Sequence, residues 1–406
     1  MENKNVLVTG GAGFIGSWTV DFLIQKGYNV RIIDNLQPRV HPNGKPQWLS
    51  NDAEFFQGDV ASKEDMSIAM EDMDYIIHLA AYQDYMPDFS TFIHTNIESS
   101  ALIFELAVKD PKRFPVKKVV FASSQSVSGE GKYICPSCAN KKKINLNIIQ
   151  SDISKRVNAY DIPKNSKLIV TPSARPLEQL KTGDWEHHCQ TCGEILLPVL
   201  MDEDTISPVT TYGISKYTIE LLADRLGKRY NIPSVCMRYT CAQGSHNSFY
   251  NAYSGIARRF AMQLMQGLPL TIYEDGNQLR DYINVKDVAS ANILAMEDDN
   301  TNFKVFNVGG KRAITVLEFA KMMIKEFSSN VDIVIPNEFR VGDTRHTVSD
   351  TSQLEALGWK PEIQVEQNVA EYVEWIQQQT GSKEYIKEAD KIMHQQGIVQ
   401  YANTKS

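Results

Sequence analysis

The run Val6-Leu7-Val8-Thr9 ends in Gly10-Gly11-Ala12-Gly13-Phe14-Ile15-Gly16 and opens directly into an amphipathic stretch that reaches Lys26. An apolar run too short for a helix, cut by glycines and followed by helical periodicity, reads as a buried strand turning into a helix. The same alternation continues. Short apolar runs at Val30–Ile33, Glu54–Gln57, Tyr75–Leu79, Val119–Ala122 and Val235–Arg238 are separated by amphipathic segments at Ser62–Glu71, Phe92–Val108 and Tyr212–Tyr230. Strands apolar on both sides need cover on both faces, and interleaved helices supply it, so the pattern predicts an α/β fold with a doubly wound parallel sheet. The rhythm breaks between Gly129 and Ser207, where the chain is polar and rich in Lys and Asn, and again after Cys241. There a helix is expected at Ala257–Gln266, with strand pieces near Thr271–Tyr273 and Val331–Ile335. The predicted organisation is a sheet domain from residues 1–130 and 207–245, an insertion at 131–206, a smaller α/β region at 246–380 and a polar tail, helical or frayed, at 381–406.

The glycine turn suits a dinucleotide. Gly10 permits the tight turn, Gly13 lets a pyrophosphate approach the backbone, and Gly16 brings helix and strand close. The helix start at Phe14 and Ile15 then faces the phosphates. Asp34, at the end of the second strand, can accept from a ribose 2′-hydroxyl and favours NAD, while Arg31 and Arg39 keep NADP open. Asn35, Asp59 and Val60 are assigned to the adenosine side, and Leu79, Ala80, Ala81 and Asn96 to the same cofactor. His78 is read as a structural histidine.

Tyr212 and Lys216 stand one helical turn apart, so phenol and ammonium share a helix face. A nearby cation is expected to lower the phenol's pKa and fit it to take a proton from a hydroxyl. Ser124, closing an earlier apolar run, is the third candidate.

Taken together and in this order, GGAGFIG, HLAA, SSQSV, YGISK, RDYINVKDV and FNVGG resemble an extended short-chain dehydrogenase/reductase of the nucleotide-sugar epimerase/dehydratase family, over residues 1–130 and 207–375. The resemblance implies a Rossmann-type domain, bound NAD and a catalytic triad of Ser124, Tyr212 and Lys216, with Tyr212 the base and Lys216 on the nicotinamide ribose. Related dehydratases and decarboxylases carry acids directly after the serine position; Gln125 and Ser126 stand here, so oxidation to a keto-sugar and hydride return, hence epimerisation at C4, is expected. Other outcomes of the same keto intermediate, and a dinucleotide-sensing regulator, are the alternatives. Arg280 and Arg340, the latter with Asp343, are expected to clamp a nucleotide diphosphate. Tyr82, Gln125 and Ser126 are placed against the sugar, with the stretch Tyr82-Gln83-Asp84-Tyr85 as a whole in reach of the ring. Cys241 replaces the family's usual Asn in Arg238-Tyr239-Thr240-Cys241, and either lines the pocket or packs as a small buried thiol. The resemblance also implies a homodimer through a four-helix bundle formed with Phe92–Val108 and Tyr212–Tyr230.

Cys135-Pro-Ser-Cys138 and Cys189-Gln-Thr-Cys192 form two CxxC pairs inside the insertion. Four thiolates satisfy tetrahedral zinc with no open position, so a structural, zinc-ribbon-like site is expected, with a redox pair as the alternative and His187 or His188 as substitute ligands. The insertion is expected to cap the sugar end of the cleft. With the Asn251-Ala252-Tyr253-Ser254-Gly255 and Tyr273-Glu274-Asp275-Gly276 stretches, the knuckles narrow the resemblance to the dTDP-L-rhamnose 4-epimerase subgroup.

A net charge of −7 opposes general nucleic-acid binding, which needs excess Lys and Arg. Lys141–Lys143 is read as a solvated face. The start of the chain has no signal-like pattern and no apolar run is membrane-length, so a cytoplasmic protein without a membrane partner is expected.

Overall fold

The computed structural model describes residues 4–141, 168–247, 255–379 and 385–403. Asn251–Ser254 and part of Lys141–Lys143 fall outside them. Among the described residues the main sheet has seven strands, in the order Lys304–Val308, Ser234–Tyr239, Lys118–Ser124, Tyr75–His78, Asn5–Thr9, Asn29–Asp34 and Glu54–Gln57. Every neighbouring pair is parallel. The chain winds outward from Asn5–Thr9 to one edge, then returns to build the other, leaving a crevice beyond the carboxyl ends of Asn5–Thr9 and Tyr75–His78. Val6, Leu7 and Val8 have no solvent exposure, as a strand covered on both faces requires.

The strand Lys304–Val308 and the helix Val285–Glu297 belong to this layer, although they were expected in the C-terminal region. Val288, Ala291, Ile293 and Phe306 enter the same core as Val6, Val8 and Ile32. The rest of the C-terminal region has its own core, in which helices Ile256–Met265, Val316–Glu326 and Val365–Gln377 surround Leu270, Ile272 and Tyr282. Thr315 starts Val316–Glu326 with a capping box to Glu318. The expected strand pieces are shorter than predicted, Leu270–Thr271 pairing in parallel with Ile333–Val334.

The segment expected as a tail is integrated into the fold. Tyr385–Gln395 is a helix, and Val399–Tyr401 pairs antiparallel with Glu338–Arg340, the strand that carries Arg340. A few scattered apolar residues dock it: Ile386 and Ala389 enter the C-terminal core, and Met393, Ile398 and Val399 are buried beyond them. The insertion's described part has antiparallel strands Ile169–Val170, Lys132–Ile134 and Leu197–Val199, with short helices Pro136–Lys141 and Leu177–Lys181. Its ends meet where Ser207 N–H donates to the Val127 carbonyl at 2.9 Å.

Candidate active site

Gly10 sits at φ +65°, and a Cβ there would lie 2.8 Å from the Ala80 backbone, so only glycine lets the first and fourth strands close on the crevice. Gly13 precedes the helix Phe14–Gln25, and Gly16 packs on the backbone of Gly10 and Gly11. Asp34 receives the N–H groups of Ala12 (3.1 Å) and Leu36 (2.9 Å); burial pushes its carboxyl up, and these donors oppose it. Asn35 and Asp59 meet at 3.4 Å, and Val60 is buried beneath them. The arginines that kept NADP open are committed elsewhere. Arg31 binds Glu54 at 2.8 Å and helix carbonyls, while Arg39 pairs with Asp84 and reaches the Tyr82 hydroxyl at 3.2 Å. Leu79 and Ala80 donate their N–H groups to Thr9 Oγ1, and Ala81 is exposed. This cradle, with a helix start and a carboxylate but no spare arginine, fits NAD. His78 is structural as expected, with Thr9 at 2.8 Å on Nδ1 and Ser99 at 3.0 Å on Nε2.

A cavity of about 580 Å³ opens from Phe14 and Ile15 past Ser124, Gln125, Ser126 and Tyr212 to Cys241, Arg280, Arg340 and Asp343. The structure thus brings together most residues expected to touch substrate. Ser124 ends its strand and Tyr212 lies in the first turn of Thr211–Tyr230, whose start is capped by Thr210. Gly213 makes the juxtaposition possible, because a Cβ there would fall 2.6 Å from the Ser126 carbonyl oxygen. Lys216 is buried, donates to the Ala122 carbonyl at 2.8 Å and lies 5.7 Å from the Tyr212 ring centroid.

The expected effect of Lys216 on Tyr212 is corrected here. Burial dominates and pushes the Tyr212 phenol up to about 12, with the Ser124 hydrogen bond pulling the other way. The Lys216 amine is itself pulled down to about 8 by burial. At about 8 the amine still carries most of its charge at neutral pH, but burial of the phenol prevails.

Gln125 donates to Cys241 Sγ at 3.3 Å, so Cys241 lines the cavity, and burial raises its thiol pKa. The carboxylates on the wall are Asp84, paired with Arg39, and Asp343, 3.7 Å from Arg340. Arg280 donates to the carbonyls of Leu279, Thr344 and Arg345. Arg340 stacks on Tyr85, its guanidinium 4.2 Å from the ring centroid.

Two of the expected site residues lie off the cavity wall. Asn96 is fully buried in the short π-helical stretch Ile93–Glu98, where it bonds Tyr82 backbone and Ser215, so it braces the wall of the site from behind. Tyr82 binds Asp88 at 2.5 Å and does not line the cavity; Gln83, Asp84, Tyr85 and Met86 do. Arg258 also lines it and was missed, because an arginine in an amphipathic helix reads as a surface residue. The described part of the insertion does not cap the cavity; its residues pack behind the Arg340–Arg345 turn.

The sulfurs of Cys135, Cys138, Cys189 and Cys192 all lie within 4.8 Å of one another. His187 and His188 are not among them, facing Glu130 (3.2 Å) and Asp184 (2.9 Å).

A nucleotide cradle beside a Ser-Tyr-Lys cavity is the arrangement of a dehydrogenase-like sugar enzyme, and the sequence agrees. The NAD dependent epimerase/dehydratase family model matches residues 6–164 and 194–309, and the chain belongs to that family. Among its relatives is the dTDP-L-rhamnose 4-epimerase of Burkholderia thailandensis, 27% identical over 94% of this chain and 98% of the relative. A putative UDP-glucose 4-epimerase of Methanocaldococcus jannaschii is 26% identical over 91% and 98%. The crystal structure of Thermotoga maritima UDP-glucose 4-epimerase with UDP-glucose superposes with TM-score 0.68 at 26% identity, covering 92% of this chain and 98% of that one. No described helix is long and apolar enough to cross a membrane.

Proposed function

We propose that this enzyme inverts C4 of a nucleotide-linked hexose or deoxyhexose, with dTDP-L-rhamnose the first candidate and UDP-hexoses the second. The chain is an NAD-dependent nucleotide-sugar epimerase. The observation that carries the C4 reading is one cavity in which Ser124 and Tyr212 meet Gln125 instead of a carboxylic acid. With the positive nicotinamide of bound NAD beside it to offset the burial that raises its phenol, Tyr212 would take the proton of the C4 hydroxyl, and Ser124 would share it through their hydrogen bond. NAD, when bound, supplies the acceptor for the C4 hydride and gives it back. Arg280 and Arg340 hold the diphosphate while the sugar turns its other face to Tyr212. Dehydration would need an acid to protonate the leaving hydroxyl, and both carboxylates on the wall are paired with arginines.

The test is proton NMR of dTDP-L-rhamnose and a UDP-hexose panel incubated with the enzyme in deuterated water. A C4 epimer without ring deuterium is expected. Deuterium at C3 or C5, or a reduced product, would overturn the C4 reading.

The four-cysteine cluster is assigned to structural zinc. Sulfur separations of 3.4 Å (Cys135–Cys192), 3.9 Å (Cys138–Cys189) and 3.7 Å (Cys138–Cys192) bracket the ~3.8 Å that tetrahedral Zn–S bonds of about 2.3 Å require. They are far too long for disulfides. One zinc per chain is expected by elemental analysis of purified protein, with a lower melting temperature after chelation. Metal-free protein with unchanged melting would remove the assignment. A homodimer is supported by Ile93 (46% exposed), Ile214 (48%) and Leu221 (40%), apolar side chains on the helices expected to pair.

A further inference from the structure

Arg175, in the insertion, is buried far from Ser124 and Tyr212 in sequence and outside the cavity lining. Its guanidinium is divided among four partners. Nε lies 3.4 Å from Glu130, Nη1 reaches Glu274 at 2.9 Å and the Trp185 carbonyl at 3.0 Å, and Nη2 donates to the Asp343 carbonyl at 2.7 Å. That last bond falls on the turn that matters most for diphosphate recognition. The turn closes through Asp343 N–H to the Arg340 carbonyl at 3.2 Å, and its Thr344 and Arg345 carbonyls hold the Arg280 guanidinium. Glu130 grips the same turn from the next residue but one, accepting the Arg345 N–H at 2.9 Å. One buried pair, Arg175 and Glu130, therefore fixes the backbone that carries Arg340 and orients Arg280.

We propose that Arg175 is a positioning residue for nucleotide-diphosphate binding, through which the insertion acts on the substrate site. This rests on the reading of Arg280 and Arg340 as the diphosphate anchors. The physical reason is that a guanidinium fork can hold two carboxylates and two carbonyls at fixed angles, whereas a lysine ammonium keeps the charge but loses the fork. With the turn free to shift, Arg280 and Arg340 would no longer be pre-arranged for two phosphates, and binding would bear the ordering cost.

The experiment is calorimetric titration of the NAD-loaded enzyme with dTDP and with UDP, alongside steady-state kinetics on the epimerised nucleotide sugar. Arg175→Lys is the main variant because it leaves no carboxylate without a cation. Gly342→Ala, at φ +87° in the same turn, is a second route to the same disturbance that leaves Arg175, Glu130 and Glu274 in place. Each is expected to weaken nucleoside diphosphate binding by about five- to tenfold and to raise KM by a similar factor, with kcat within about twofold. Arg340→Met supplies the control, and Arg175→Lys should cost less binding on the Arg340→Met background than on the parent, because only Arg280 is left for the turn to misplace. The inference is overturned if Arg175→Lys and Gly342→Ala bind dTDP and UDP like the parent while Arg340→Met does not. It is also overturned if the Arg175 and Arg340 effects simply add. Unchanged diphosphate binding by Arg340→Met would instead fell the anchor reading, and this inference with it.

Discussion

Tyr212→Phe is expected to lower kcat by about 10²–10⁴-fold, the usual contribution of a positioned proton acceptor. The substitution removes one oxygen and keeps the ring that lines the cavity, so the fold and the arginine anchors should be untouched. KM for the nucleotide sugar is therefore expected to stay within a few-fold of the parent, and bound NAD to be retained. Ser124, which loses its hydrogen-bond partner on the phenol, still accepts the Ser126 N–H at 3.2 Å and is not orphaned. Burial pushes the Tyr212 phenol up to about 12, so the acceptor role depends on a positive charge, such as the nicotinamide of bound NAD, to bring it back down. Initial rates by NMR or a coupled assay, with absorbance for NAD content, decide the matter. A variant with full NAD and more than about a tenth of the parental kcat would take the proton-transfer role away from Tyr212.

Arg345→Met is expected to cost about 3–5 kcal/mol of unfolding free energy, the usual result of stranding buried charges by removing their partner. Arg345 has no solvent exposure and faces Glu186 at 2.6 Å, Glu274 at 2.9 Å and Asp275 at 2.7 Å. Burial raises Glu186, but His346 and Arg345 overcome it and hold its carboxyl well below the ordinary 4.5. Glu274 is pushed up by burial even with two arginines beside it, which shows how much desolvation the cluster must offset. The sign for pH follows from Glu186. A carboxyl with a lowered folded pKa contributes stability that is present above its unfolded value and lost as pH falls through the folded value. The gap between parent and variant should be complete above about pH 4.5 and narrow in more acid solution. Urea unfolding at several pH values measures it. A loss under about 1 kcal/mol at neutral pH would mean that water or rearranged partners already satisfy these acids.

Where the sequence was read correctly, the signal was short-range. The strand and helix of Asn5–Gln25 announce themselves through a glycine turn a few residues long. Tyr212 and Lys216 share a face because they are one helical turn apart. Cys135 with Cys138, and Cys189 with Cys192, show their spacing directly, and the structure gathers the two pairs into one cluster. Where the reading failed, the deciding contact was between distant positions. Val399–Tyr401 is polar enough to pass for a tail, yet the open edge of Glu338–Arg340 takes it as a second strand. Tyr82 and Tyr85 are nearly equivalent on paper, but Asp88 and Arg39 turn one outward while Arg340 stacks on the other. That the insertion's described residues pack on the Arg340–Arg345 turn rests on contacts such as Arg175 with Asp343, which its place in the chain next to Ser124 does not reveal.

The sequence by itself determined the layered α/β plan, the glycine turn and the shared helix face of Tyr212 and Lys216, because strand period, helix period and turn residues are local properties. Tertiary structure alone decided which arginine touches what. Arg175 and Asp343 are 168 positions apart, and Glu130 and Arg345 are 215 apart. A buried charge is viable only where opposite charges and carbonyls converge on it, and that convergence exists only once the sheet, the insertion and the C-terminal region have packed together.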